Sequence, residues 1–278
     1  MVAGPESSRL WSVSDHNRLG LVRATTDDSG LQPSGVVEAH RLGVGGVGPE
    51  VDARPPGGSV RRVRGLATAW VELGVPLQRC LELAHRTLRA GGLACGSVLT
   101  DAAGVVVAEG RNRAYDPPGG DGALQGNPLA HAELNALAEI PTARDLGDCV
   151  LWSSQQPCSM CRAAAEFVGV GGVRYLGVDP AFVGTARSQA GSPPDQAVAV
   201  APEWPLVANV LFLHNVVVLR GTGHETVARN RELEPETTDL AVHLVEDQAL
   251  AHDDLPTALS PRWPEFVVAA ERRGRRLG

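Results

Sequence analysis

Asn127-Pro128-Leu129-Ala130-His131-Ala132-Glu133, followed after a helix and a strand by Pro157-Cys158-Ser159-Met160-Cys161, is the part of this chain from which the rest can be read. Two cysteines three positions apart and an upstream histidine offer two thiolates and one imidazole. That is three of the four ligands of a tetrahedral Zn2+, with the fourth position left for water, as in catalytic rather than structural sites. Glu133, two residues beyond His131, could carry protons to and from that water. A structural zinc would need a fourth protein ligand; Cys95, Cys149, His214 and His224 are conceivable, yet none has paired ligand spacing.

The pattern His-x-Glu followed by Pro-Cys-x-x-Cys resembles the cytidine/deoxycytidylate deaminase superfamily. Within it, Asn-Pro-x-Ala-His-Ala-Glu is similar to the branch holding guanine deaminases, fungal-type cytosine deaminases and tRNA adenosine deaminases. The resemblance covers roughly residues 76 to 220 and rests on both motifs in this order. It implies an α/β fold, a three-layer α/β/α sandwich around a central mixed five-stranded sheet. It also implies a Zn2+ cofactor on His131, Cys158 and Cys161, Glu133 as the catalytic acid and base, and Asn112, just after a strand, as a substrate-binding amide. On its own Asn112 reads as a turn residue. Hydrolytic deamination of a small nucleobase, nucleoside or nucleotide, with release of ammonia, is the expected activity, and a homodimer the expected assembly. Two alternatives are a tRNA adenosine deaminase and a catalytically silent zinc scaffold.

Three departures separate the chain from the family pattern. Gln156, preceded by Gln155, stands where Glu is common before Pro-Cys; Ala94-Cys95-Gly96-Ser97 replaces Pro-Phe-Gly-Ala; and a long Gly/Pro-rich loop, 114–126, precedes Asn127. The chemistry survives these changes, but substrate identity does not carry over.

Composition narrows the partners. A net charge of -7 and the absence of lysine argue against a broad nucleic-acid surface and for a small molecule. Five cysteines, an odd number containing a C-x-x-C pair, indicate a reducing, cytoplasmic setting rather than a disulfide framework. No basic segment followed by an apolar run opens the chain, and the apolar stretch 206–219, broken by Asn209, His214 and Asn215, is too short to cross a membrane.

Three regions are expected: a flexible extension over 1–64, a zinc-dependent deaminase domain over 65–225 and a helical extension over 226–278. The first shows no period and is rich in glycine and proline, with Arg61, Arg62 and Arg64 as a solvated basic cluster. Leu77, Cys80, Leu81, Ala84 and Leu88 recur at helical spacing after Pro76 and stop at Gly91-Gly92. Residues 93–99 and 104–110 read as a hairpin, Asn127 as the cap of a helix with Pro128 at its first position, and Pro157 as the start of the next helix. Cys149 to Trp152 and Gly172 to Val178 read as strands, Leu206 to Leu213 as a helix and Val216 to Leu219 as the last strand. Trp152, Phe182, Trp204 and Phe212 are read as core.

Overall fold

The computed structural model describes residues 64–120, 122, 124–178, 195–248, 250–252 and 254–278. The expected extension 1–64, apart from Arg64, therefore lies outside the described residues, as do Phe182 and the connection that opens at Asp179-Pro180. The elements run α1 (Leu66–Leu73), α2 (Val75–Arg89), β1 (Gly96–Thr100), β2 (Val106–Arg111), α3 (Ala132–Ala138), β3 (Val150–Gln155), α4 (Ser159–Phe167), β4 (Gly172–Gly177), β5 (Asp195–Ala197), α5 (Glu203–Arg220), α6 (Glu225–Leu233), α7 (Pro235–Glu246), α8 (Leu255–Leu259) and, after a 3-10 turn at Ser260–Arg262, α9 (Trp263–Leu277).

The sheet order is β2-β1-β3-β4-β5. Its first two pairings, β1 with β2 and β1 with β3, are antiparallel; β3–β4 and β4–β5 are parallel. The hairpin turn closes because Asp101 accepts the N–H groups of Ala103 and Val105, both at 3.0 Å, while Gly104 takes a φ of 78° that a side chain would oppose.

Side-chain alternation assigns the two faces. At Gly96 a Cβ would stand 2.6 Å from the Cβ of Leu83 and 2.7 Å from the amide of Ala84, so α2 lies directly on that face. The next position, Ser97, pairs with Gly110, and a Cβ on Gly110 would run into the backbone of α3. Helices α2 and α3 thus cover opposite faces, each admitted by a missing side chain. On the α3 side, Leu99, Leu151 and Val173 from three neighbouring strands pack with Ala136 of α3 and Ala165 of α4. The other face meets α2 and α5, whose Leu81, Ala84, Val207, Val210 and Leu211 join Leu176 in the larger core. The layers are those of a mixed five-stranded α/β/α sandwich.

Helices α1, α7, α8 and α9 share that larger core, contributing Ala69, Leu240, Leu244, Leu255, Leu259, Trp263 and Phe266 around Trp204 and Leu206 of α5. Trp204, 1% exposed, meets the rings of Trp70 and Trp263 at 5.6 and 5.0 Å. Because α5 is covered on nearly every side, its sequence is apolar all round and carries no amphipathic stripe.

Three expectations are corrected. Val216 to Leu219 is not a strand: it is the last turn of the single 18-residue helix α5, and the fifth strand is Asp195–Ala197, parallel to β4. A buried helix and a buried strand read alike from an apolar run, and here Val216 and Val217 pack on Val227 of α6 rather than pairing in the sheet. Asn127 is not the cap of α3. Its Oδ1 accepts the N–H of Leu129 at 2.9 Å in a local turn, and the helix starts at Ala132 with His131 as its cap. Likewise α4 starts at Ser159 with Cys158 as cap, two positions after the expected Pro157.

Candidate metal centre

Those two shifts in helix start build the site. His131 and Cys158 both occupy cap positions with extended backbone, φ/ψ of −69°/156° and −66°/168°. A cap residue is released from the helical side-chain directions. His131 can therefore swing toward the same point as groups further along, although residues two apart on a helix do not share a face. The carbonyls of His131 and Cys158 accept the N–H of Asn135 and Arg162 at 3.0 and 2.9 Å, so each cap is locked to its helix.

The three donors converge. Nδ1 of His131 lies 3.6 Å from Sγ of Cys158 and 3.4 Å from Sγ of Cys161, and the two sulfurs are 3.5 Å apart. A tetrahedral Zn2+ with its usual bond lengths would separate N and S by about 3.6 Å and S and S by about 3.8 Å. The triangle fits with almost no adjustment. Among the described residues the group able to hold a metal consists of these three, so neither Cys149 nor His214 nor His224 supplies a fourth ligand, and Cys95 does not join them.

Glu133, in the first turn of α3, is 4% exposed. From β3, the hydroxyl of Ser153 donates to its Oε1 at 3.1 Å. Burial raises the Glu133 carboxyl above the ordinary range, reinforced by the charge at Cys158 and opposed by His131. The Cys158 thiol is pulled down to about 4, first by its hydrogen bond to Cys161 and then by His131, against burial. Cys161 is pushed far up by sharing that proton and by burial. Burial draws His131 down, but its hydrogen bond to Cys158 and the charge of Glu133 outweigh it and leave it raised. The lowered Cys158 thiol lies at the start of α4, whose positive end favours thiolate, the form in which cysteine binds a metal.

Asn112 is buried at 4% exposure and serves the turn reading directly: its Oδ1 accepts the N–H of Ala114 at 3.0 Å. It is tied to the metal loop through its neighbour, since the N–H of Arg113 donates to the carbonyl of Ala130 at 2.8 Å, one residue before His131. The structure thus brings His131, Cys158 and Cys161 together, with Glu133 two residues from His131, and holds Asn112 in the strand-end loop that bonds Ala130 through Arg113.

Three contributors went unread in the sequence. Asn135 donates from Nδ2 to the carbonyls of Arg111 and Ala130, at 2.9 and 3.3 Å, clamping α3 to the end of β2. Asp116, 8% exposed, receives Arg111 at 2.5 Å and Arg113 at 3.1 Å and pins the long loop. Ser153 carried a visible signal: after Val150, Leu151 and Trp152, the hydroxyls of Ser153 and Ser154 are buried in the strand and must find partners there.

Residues 75–176 match the family model of the cytidine and deoxycytidylate deaminase zinc-binding region. Over 92 residues the chain is 34% identical to a guanine deaminase of Bacillus subtilis, covering 32% of this chain and 53% of the relative. Over 133 residues it is 29% identical to a tRNA(Ile)-lysidine synthase of Deinococcus radiodurans, covering 47% of this chain and 22% of that protein. The chain therefore spans about half of one curated relative and about a fifth of the other. A solved guanine deaminase from Nitrosomonas europaea is similar at a TM-score of 0.40 and 21% identity, over 52% of this chain and 86% of that one.

Proposed function

We propose that this protein is a zinc-dependent hydrolytic deaminase of a small nucleobase, nucleoside or nucleotide. The observation that carries the reading is the triangle of His131, Cys158 and Cys161 with the buried Glu133 carboxylate beside it. Zn2+ on those three donors would lower the pKa of water toward neutrality and supply a nucleophile at physiological pH.

The rest belongs to the chain's own side chains. Glu133 takes a proton from the attacking water and passes it to the ring nitrogen, then takes the second from the added hydroxyl and passes it to the exocyclic amine, so that water and an amino-substituted ring give a carbonyl and ammonia. A carboxyl whose pKa is raised by burial is suited to both halves of that transfer. Asn112 would offer an amide to the edge of the base. Similarity to a guanine deaminase makes guanine the first substrate to try. The net charge of -7, with no lysine, weighs against an RNA substrate. Five free cysteines support a reducing compartment, and no helix among the described residues is long and apolar enough to cross a membrane. A homodimer and a division into a deaminase domain over 65–225 and a helical extension over 226–278 complete the proposal.

The test is ammonia release by the purified zinc-loaded protein over guanine, cytosine, cytidine, dCMP, adenosine and a tRNA anticodon stem-loop. Turnover of a free base, nucleoside or nucleotide that vanishes in Glu133→Ala with zinc retained supports the reading. Turnover of the stem-loop alone, or turnover indifferent to Glu133, refutes it. Sedimentation of the same sample reads the dimer.

A further inference from the structure

Ser153 sits at the middle of β3, fully buried, between Ser97 of β1 and Tyr175 of β4. Its hydroxyl does two things at once. It accepts the N–H of Gln155 at 3.4 Å, which leaves its single proton for Oε1 of Glu133 at 3.1 Å. The neighbouring Ser154 points to the opposite face and accepts the N–H of Gly96 at 3.1 Å, a purely structural bond. The Glu133 carboxylate is therefore held from the sheet by Ser153.

Glu133, with three rotatable side-chain torsions on the first turn of a seven-residue helix, has several rotamers open to it, and only some would reach a reacting water. We propose that Ser153 is a positioning residue for Glu133: by occupying one carboxylate oxygen from the rigid centre of the sheet, it turns the other toward the metal site and holds it there. The inference deepens the deaminase reading and rests on it for its catalytic consequence, but the contact itself does not. Ser153 touches neither donor sulfur nor imidazole. Its removal should therefore change how well Glu133 is aimed and not whether the metal binds. Small misplacements of a catalytic group cost up to about a hundredfold in rate.

The experiment compares Ser153→Ala with Ser154→Ala and Glu133→Gln, each as the full chain. In the metal-free protein, the infrared carboxyl band of Glu133, assigned by its loss in Glu133→Gln, shifts in Ser153→Ala and stays in Ser154→Ala. With zinc bound and guanine as the first probe, Ser153→Ala lowers kcat about ten- to a hundredfold with KM and zinc per chain unchanged. Ser154→Ala lowers the melting temperature and leaves kcat alone. An unmoved Glu133 band in Ser153→Ala, or full kcat in Ser153→Ala while Glu133→Gln is inactive, overturns the positioning role. If the wild type releases no ammonia from any compound in the panel, the deaminase reading fails, and the infrared band still decides whether Ser153 holds Glu133.

Discussion

Gly110 of β2 lies flat against the first turns of α3: a methyl group on it would stand 2.9 Å from the carbonyl carbon of Asn135 and closer still to the backbone of Ala132 and Ala136. The contact is backbone on backbone, so no rotamer change relieves it. Since α3 carries His131 at its cap and Glu133 in its first turn, any displacement of the helix moves the proposed metal donor and the proposed proton carrier together. Gly110→Ala is expected to cost about 1–3 kcal/mol of stability by overpacking and to weaken zinc binding. Thermal unfolding with and without zinc, together with a competitive chelator titration, measures both. Unchanged zinc affinity in a destabilised variant would show that α3 can shift without disturbing the donors.

Asp116 gives the long loop a pH dependence whose sign is set. Burial disfavours its charge, but the hydrogen bonds from Arg111 and Arg113 outweigh that and hold its carboxyl below the ordinary range. Stability from this cluster is thus fully present above the ordinary carboxylate pKa of about 4 and is lost as pH falls through the lowered value. Asp116→Asn should destabilise the protein by about 1–3 kcal/mol at neutral pH, and the difference from wild type should shrink on acidification below that ordinary value. Melting temperatures of the two proteins from neutral to acid pH test it; a gap that widens with acid would reverse the assignment.

What the sequence made legible was the grouping of the donors, and what it hid was where helices begin. His131, Cys158 and Cys161 are donors whatever the local backbone, so their type and spacing sufficed to group them. Their caps did not follow from propensity. Asn127-Pro128 carries the usual marks of a helix start, yet Asn127 spends its side chain on the N–H of Leu129 in a turn, and the helix waits until Ala132. The run from Leu206 to Leu219 hid in another way, since a helix buried all round and a buried strand are both unbroken apolar sequence. Asp195–Ala197 was invisible for the opposite reason: three residues, two of them polar, pair with β4 in parallel, and Asp195 is held by an ion pair from Arg162 of α4.

The thiols offer a test that needs no substrate. In metal-free protein the Cys158 thiol, held down to about 4 first by its hydrogen bond to Cys161, is expected to be the thiolate at neutral pH, and Cys161, pushed up, to keep its proton. An alkylating reagent at mildly acidic pH should label Cys158 first, leave the buried Cys80 and Cys149 untouched, and be blocked when zinc is restored. Peptide mapping by mass spectrometry reads the order of labelling. Equal labelling of Cys158 and Cys161 would overturn the lowered Cys158 and raised Cys161.

Trp204 joins α5 to the helices at both ends of the described chain, meeting Trp70 of α1 and Trp263 of α9 while being itself 1% exposed. The indole of Trp263 also donates to the carbonyl of Arg64 at 2.9 Å, so this aromatic cluster fastens the start of α1 to the start of α9. Removing so large a buried side chain leaves a cavity that rigid helices fill only in part. Trp204→Ala should cost about 3–5 kcal/mol. The metal donors lie on the opposite face of the sheet, carried by α3 and α4, so the surviving folded fraction should bind zinc with unchanged stoichiometry. Chemical denaturation gives the first quantity and metal analysis of the folded fraction the second. Loss of zinc from a protein that remains folded would mean that the helical layer around α5 helps to hold the metal site and is not only its support.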